Sequence, residues 1–306
     1  MHRAARDLLL VALPLVAALA ALPFVYSNEL MLFNFIMFLT LAQGLNVIYG
    51  FTGFLPFGYV GFFGAGAYGF AIAVMHLHLS PFPALGVAAL ASVLLGCILA
   101  PMMRLSGAYF AIANLAAAQA LYQVVSNPAL EDLTKGPYGV SLSGVFAPGP
   151  SYAAALGVLA ATLGLVVWLR NSRFGLALQA LRDDRTSAAM AGISVVRMRT
   201  IAWLLSALVA GLMGGAFAWH ISVFYPEAVF DLSISIFAIV FTLFGGASTL
   251  LGPILGVVIL YGIYNAIGIT VPQYFQLIYG GLIVALVLFL PNGLASLLAR
   301  RGVRVP

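Results

Sequence analysis

Between Glu29 and Arg104 the chain has no Asp, Glu, Lys or Arg, and a second such tract runs from Asp231 to Arg300. A water-soluble fold cannot be built on tracts of this length without ionised groups, because nothing in them can face solvent. An apolar helix needs about 20 residues to cross a hydrocarbon core of roughly 30 Å, so each tract holds several crossings. The rest of the chain agrees: of 306 residues, 63% are hydrophobic and 7% are charged, against about 25% charged in an average soluble domain. The apolar runs are continuous and do not alternate with polar residues, which selects helices over a membrane β-barrel. The expected fold class is an all-α polytopic membrane protein made of one transmembrane domain over residues 1–306.

Breaks at charges, Pro/Gly clusters and polar groups divide the chain into about ten spans, near 8–26, 30–49, 57–78, 84–103, 109–125, 152–169, 200–220, 233–249, 252–269 and 274–290. The first run, Leu8 to Tyr26, exceeds the roughly 7–15 apolar residues of a cleaved signal peptide and reads as a retained span. Sidedness follows from the basic residues, since Lys and Arg stay on the cytoplasmic side. Arg170, Arg173, Arg182, Arg185, Arg197 and Arg199 crowd the segment 170–199. If that segment is cytoplasmic, ten spans also place Arg3, Arg6, Arg104, Arg300, Arg301 and Arg304 inside. Lys135 alone lies outside, together with Glu29, Glu131, Asp132, Glu227 and Asp231. Both termini are then cytoplasmic. The outer segment 126–151 divides the spans five and five, so related halves would be inverted across the membrane; Gly-rich stretches at 50–69 and 245–256 are the trace of such a repeat.

Three features rise above this background. One is the Gly-rich stretch from Gly50 to Gly69, with Gly53, Pro56, Gly58, Tyr59, Gly64, Gly66 and Tyr68, matched by Gly245-Gly246-Ala247-Ser248-Thr249 before Gly252-Pro253. Such residues allow either close helix packing or a broken helix whose backbone lines a polar path. The second is a set of polar side chains within the spans: Gln43, Asn46, Asn114, Gln119, Gln123, His220 and Asn265. These tie helices together or touch a zwitterionic solute. No carboxylate joins them, which speaks against a proton relay. The third is the segment 171–199, helical around Phe174–Ile193, where Phe174, Leu178 and Leu181 border Arg182-Asp183-Asp184-Arg185 and Ala188, Ala189 and Gly192 follow. It reads either as a solvated loop or as a docking helix for another protein.

Other classes find no support. Lys135-Gly136 belongs to no phosphate-binding loop, and His2, His76, His78 and His220 form no metal-binding helix motif. Cys97 is the single cysteine, which excludes an intrachain disulfide or a cysteine metal cluster and reads as a small buried apolar side chain. The basic residues are scattered singly between apolar spans, not gathered as a nucleic-acid surface.

At these residues the chain resembles the permeases of branched-chain amino acid ATP-binding-cassette (ABC) importers. Gly44-Leu45-Asn46 through Gly50-Phe51-Thr52-Gly53, continuing into Phe63-Gly64-Ala65-Gly66-Ala67-Tyr68, is similar to the family's first hallmark. Leu133-Thr134-Lys135-Gly136-Pro137-Tyr138-Gly139 is similar to its outer loop. Ser172-Arg173-Phe174-Gly175 through Gly192, then Ser206 to Gly211, is similar to its coupling region, and Phe244-Gly245-Gly246 with Gly252-Pro253 and Pro291 to Leu294 to its C-terminal pattern. The pattern departs at Pro56 and at Tyr59, where the family places a histidine. The M-type subunit is the nearer of the family's two permease types.

The resemblance implies an inner-membrane importer for amino acids, branched-chain ones first, or related small polar solutes. The chain would work beside an H-type homologous permease, two cytoplasmic ATPase subunits and a periplasmic solute-binding protein. It would bind no cofactor itself; ATP and Mg would be used by the ATPase partners. It would not be an enzyme, and it would not bind nucleic acid. The implied ATPase-coupling residues are Phe174, Gly175, Arg182, Asp183, Asp184, Ala188, Ala189 and Gly192. The path is expected along Asn46, Gly53, Gly58, Tyr59, Gly64, Gly66, Tyr68, Asn114, Gln119, Gly245 and Gly246. A stand-alone secondary transporter or channel for small neutral solutes is the alternative reading, and an intramembrane enzyme lacks a polar catalytic cluster.

Overall fold

A computed structural model describes residues 11–105 and 107–270, with isolated positions 274, 280, 281, 284, 293 and 294. The main helices are α1 (Leu13–Ala21), α2 (Glu29–Leu45), α3 (Val60–Met75), α4 (Pro81–Leu99), α5 (Ala108–Val125) and α6 (Pro148–Asn171). Two short helices follow, α7 (Arg173–Asp183) and α8 (Arg185–Met190), then α9 (Val195–Ile221), α10 (Leu232–Gly245) and α11 (Leu251–Thr270). α2 runs on as a π-helix over Asn46–Gly50, and α4 as a 3-10 turn to Arg104. Among the described residues seven helices are long and apolar enough to cross a membrane, and Leu13–Phe24 and Val60–Met75 are shorter apolar helices. The chain is an all-α polytopic membrane protein. The expected span at 274–290 lies outside the described residues.

The helix limits follow local chemistry. The Asn28 side chain accepts the Met31 amide at 3.0 Å and starts α2. Prolines open α4 and α6, where a missing N–H costs no intrahelical bond. The segment 173–190 differs from the single helix expected there. Ser172 caps α7 through the Gly175 amide at 3.0 Å, and Asp184 leaves the helix (φ −150°) to cap α8 through the Thr186 amide at 2.9 Å. An Asp side chain that reaches its own downstream backbone favours such a break. The Ser187 hydroxyl and the Thr186 amide hold the Asp184 carboxyl below the usual carboxylate range.

α9 is the central helix. It packs on α3 and α4 along small residues, and it also meets α6 and α2. Gly66 of α3 lies against the backbone of Gly211, Gly214 against the Phe63 carbonyl, and Gly215 against Ala88 of α4. Lipid tails are as apolar as the helices, so association gains little from apolar burial and depends on close backbone approach and interhelical hydrogen bonds. Both are present: Ser92 Oγ donates to the Phe62 carbonyl at 2.8 Å, and Trp203 Nε1 to the Gly96 carbonyl at 3.1 Å. On the far side of α4, Leu90, Leu94, Cys97 and Ile98 are exposed at helical spacing. Cys97 is therefore not buried as expected; it belongs to an apolar stripe that faces outward.

The molecule has two distinct ends. At one, Val140–Ser141 pairs antiparallel with Val223–Phe224, Trp219 Nε1 donates to the Val145 carbonyl at 2.9 Å, and His220 stacks on Phe33 at 3.9 Å with Ser151 Oγ 2.9 Å from its Nδ1. The segment 126–151 with Lys135 belongs to this end. At the other end lie α7, α8 and their arginines. The two Gly-rich stretches meet there, at the joints between α2 and α3 and between α10 and α11. A five-plus-five inversion would equate different joints, 51–59 with 222–231, and a proline-led turn interrupts each: Pro56 in one, Pro226 in the other.

The glycine packing yields a paired test. A Cβ on Gly66 would run into the Gly211 backbone, whereas one on Gly86 meets nothing within 4 Å. Gly66→Ala is expected to destabilise by about 1–3 kcal/mol. Gly86→Ala is expected to be neutral or to stabilise by about 0.5–1 kcal/mol. Thermal unfolding of the two variants in detergent checks the contrast.

Candidate coupling and translocation site

At the arginine end, the break after α10 leaves a turn, residues 246–250, in which the Ser248 amide and the Thr249 and Leu250 carbonyls bond to α2 side chains. Gly246 (φ +107°) and Ser248 (φ +73°) sit in the left-handed region, which is uncommon for a serine. The end of α2 supplies the partners. Asn46 Oδ1 accepts the Ser248 amide at 2.8 Å, and Asn46 Nδ2 donates to the Thr249 carbonyl at 2.9 Å. Gln43 Nε2 donates to the Leu250 carbonyl at 2.8 Å. Thr242 Oγ1 adds a bond to the Ala42 carbonyl at 3.0 Å. Gln43 and Asn46 are fully buried, so each of these bonds stands in for water that the site excludes. The π-helix at Asn46–Gly50 widens the backbone just where the Asn46 amide engages the turn, a common placement for such bulges.

Arg182, the penultimate residue of α7, reaches into this node. Its Nη1 donates to the Gly50 carbonyl and to the Ser248 hydroxyl, and Ser248 Oγ in turn donates to Gly50. One guanidinium thus holds the end of α2 and the α10–α11 turn together, and Gly53, in a left-handed conformation (φ +75°), lies beside the Arg182 side chain. The remaining coupling candidates fall on the same short pair of helices. Gly175 is buried where a Cβ would strike the Leu169 carbonyl. Phe174 stacks on Trp168. Ala188 is buried, while Asp183, Ala189 and Gly192 are exposed and Gly192 has φ +84°.

The second cluster lies at the start of α3. Residues 53–59 are not helical, and their amides are met from other helices: Gly58 N–H donates to Asn114 Oδ1 at 2.7 Å and Val60 N–H to Ser235 Oγ at 2.8 Å. Irregular backbone at membrane depth is tolerated when it is buried in protein and satisfied in this way. Tyr59, fully buried, donates to the Ser206 carbonyl at 3.1 Å, and Ser206 Oγ to the Gly44 carbonyl at 2.7 Å. Farther along α3, Gly64 receives the Phe230 ring. Tyr68 stands between Phe224 and Phe230, and its buried hydroxyl has no hydrogen-bond partner among the described residues.

The structure therefore gathers Asn46, Gly53, Gly245 and Gly246 into one node, and Gly58, Tyr59 and Asn114 into an adjoining one. A Cβ on Gly58, Gly64 or Gly66 would meet Asn114, Phe230 or Gly211, so among the described residues these glycines pack against neighbouring segments. Gln119 is exposed on α5 and joins neither cluster. Gln43, Ser206, Ser235 and Thr242 are the participants that sequence reasoning left out of the site. Gln43 was visible as an amide inside a span; the hydroxyls carry no local signal, because they act on backbone far away in the chain.

Comparison with known proteins places the chain in a family. A family model described as the branched-chain amino acid transport system / permease component matches residues 28–287. The high-affinity branched-chain amino acid transport system permease protein LivM of Salmonella typhimurium is 29% identical over 290 residues, covering 84% of this chain and 67% of the relative. LivM of Escherichia coli K12 gives the same identity and coverage. The L-arabinose ABC transporter permease protein AraH of Azospirillum brasilense is 30% identical over 136 residues, 42% of this chain and 40% of the relative. No solved structure matches the chain. With the family model spanning most of the sequence, the chain belongs to the branched-chain amino acid transport permease family, as a membrane-embedded transport subunit and not an enzyme.

Proposed function

We propose that this chain is the translocating subunit of an ATP-driven importer of amino acids, branched-chain ones first, working by alternating access. The LivM relatives, matched across most of the chain, favour an amino acid over the sugar named for AraH, whose match is less than half as long. The arginine end is the cytoplasmic one, with both termini on that side, in the bacterial inner membrane. Two ATPase subunits dock on α7 and α8 and use ATP and Mg. An H-type homologous permease completes the membrane unit, and a periplasmic binding protein delivers solute at the opposite end.

The observation that carries this reading is the Arg182 contact. A docking helix joined through one side chain to Gly50 and Ser248 can turn a rigid-body shift of an ATPase into a parting of α2 from the α10–α11 turn. That parting would open the inner end of a path running past Asn46, Gly58, Tyr59 and Asn114 toward Tyr68, whose free hydroxyl suits a polar solute. Since the binding protein supplies most of the selectivity, a few weak contacts along the path suffice.

Two variants test the reading. Gly192→Arg would mix docking with backbone strain, since Gly192 has φ +84°; Ala189, exposed on α8, avoids this. Ala189→Arg is expected to insert normally but to lose its ATPase subunits on purification and to abolish uptake. Arg182→Ala is expected to keep the ATPase subunits while lowering solute-stimulated uptake about tenfold, the scale of a lost charge-assisted hydrogen bond. Co-purification together with uptake in reconstituted vesicles measures both. Normal uptake by either variant, or uptake by this chain without partners, would refute the coupling scheme.

A further inference from the structure

The seam between α3 and α5 ends in an aromatic wedge, at the end opposite the arginines. Gly58 leads into α3, and Gly61, Gly64 and Tyr68 follow at three- and four-residue spacing, along one helix face. Asn114, Ala118 and Tyr122 recur every four residues on α5. A Cβ on Gly58 would meet Asn114 and one on Gly61 would meet Ala118, so the two segments touch there. At Gly64 the neighbour changes, and the Phe230 ring fills the notch that the missing side chain leaves. Tyr68 stacks on that ring at 6.1 Å and Tyr122 lies 6.2 Å from it. Phe230 is thus wedged between the two helices.

The wedge leaves one polar group unanswered. Tyr68 is 3% exposed, and its hydroxyl has no hydrogen-bond partner among the described residues. The rings of Phe224 and Phe230 that pack on it offer no acceptor. A buried hydroxyl left unpaired is costly, so a ligand that brings a polar group to it makes a bond that this closed arrangement lacks. Phe230 itself belongs to the joint 222–231, which is bonded to the outer segment 126–151. Val223–Phe224 pairs with Val140–Ser141, and the Ser222 carbonyl accepts the Leu142 amide at 2.6 Å. The Phe230 ring carries no polar group, so it can leave the Gly64 notch without breaking a hydrogen bond of its own.

We propose that Phe230 is the outer gate of the path and occupies the seat of an aliphatic amino acid, an inference that rests on the importer reading above. When the ring withdraws, the apolar side chain of the solute takes the Gly64 notch between Tyr68 and Tyr122. The solute's carboxylate then accepts a hydrogen bond from the Tyr68 hydroxyl. An apolar seat with one placed polar group suits such a solute. A sugar would bury several hydroxyls against Phe224 and Phe230, which have no partner to give them. The strand pair supplies the trigger: a protein docked on 126–151 that shifts 140–141 also shifts 223–224, and Phe230 with them.

The test uses the full-length chain with its partner subunits in proteoliposomes and radiolabelled leucine as the solute. Tyr68→Phe keeps the ring and removes only the hydroxyl. It is expected to lower uptake at saturating solute-binding protein about fivefold, the scale of one hydrogen bond. Tyr68→Cys, in a chain that also carries Cys97→Ser, reports on the gate through a membrane-impermeant maleimide added outside. Adding Phe230→Ala is expected to speed that labelling about tenfold, since a shielded thiol reacts only through its open fraction. Excess leucine is expected to slow it again, and L-arabinose to leave it fast. Wild-type uptake by Tyr68→Phe, or labelling unmoved by Phe230→Ala, would overturn the proposal, as would protection by both solutes or by neither. Absence of ATP-driven leucine uptake by the wild-type complex would instead overturn the importer reading.

Discussion

A buried backbone N–H or C=O left unpaired is costly, yet two of this protein's joints, 53–59 and 246–250, interrupt helices and bury part of their backbone. The molecule resolves the conflict by lending side chains from distant helices. Gln43 and Asn46 bond the turn at 248–250, while Asn114 and Ser235 bond the amides of Gly58 and Val60. Each of these bonds joins segments more than fifty residues apart, so the broken backbone is also what ties the bundle together. If Asn46 let go, the cost would be two unsatisfied backbone groups as well as the lost contact, since a buried group without a partner carries its full desolvation penalty.

That coupling makes the joints suited to switching. A polar node has discrete bonded arrangements, whereas a greasy helix seam deforms without preference. The glycine seams between α3 and α9 do the opposite work. Where Gly66 meets Gly211 and Gly214 meets Phe63, backbones are in contact and helices move only as a unit. Motion is thereby steered toward the joints, where the amides can exchange partners with one another, with solute or with water. In the proposed importer the energy for the exchange enters from outside the bilayer, so the charge-free tracts need hold no carboxylate relay.

Much of this was legible in the sequence. Charge-free tracts fix a membrane helix bundle on energetic grounds, and nine of the expected spans coincide with apolar helices among the described residues. Glycines and in-span amides marked the joints. What could not be read is the identity of partners across long separations: nothing near Ser235 says that it serves the amide of Val60, and nothing near Arg182 says that it reaches Gly50. The break at Asp184 was written locally as an Asp-Arg-Thr-Ser cap, but the apolar periodicity on both sides masked it. Cys97 was misplaced because an apolar run in a membrane helix has no solvent face to contrast with; which side faces lipid is set by packing, and only the small residues opposite it, Ser92 and Gly96, hint at the direction.

The arginines of 182–199 show how few charges such a chain needs when each one is placed. A single nitrogen of Arg182, Nη1, serves two acceptors, the Gly50 carbonyl and the Ser248 hydroxyl. Four residues on, Phe54 carries Arg185 and Arg199 on its ring. The stretch 50–54 is therefore held at its first residue by α7 and at its last by two cations that share one ring. In the proposed coupling scheme a shift of α7 reaches α2 through the first of these holds, while the second keeps Phe54 seated, so the force acts on a five-residue stretch that is fixed at both ends.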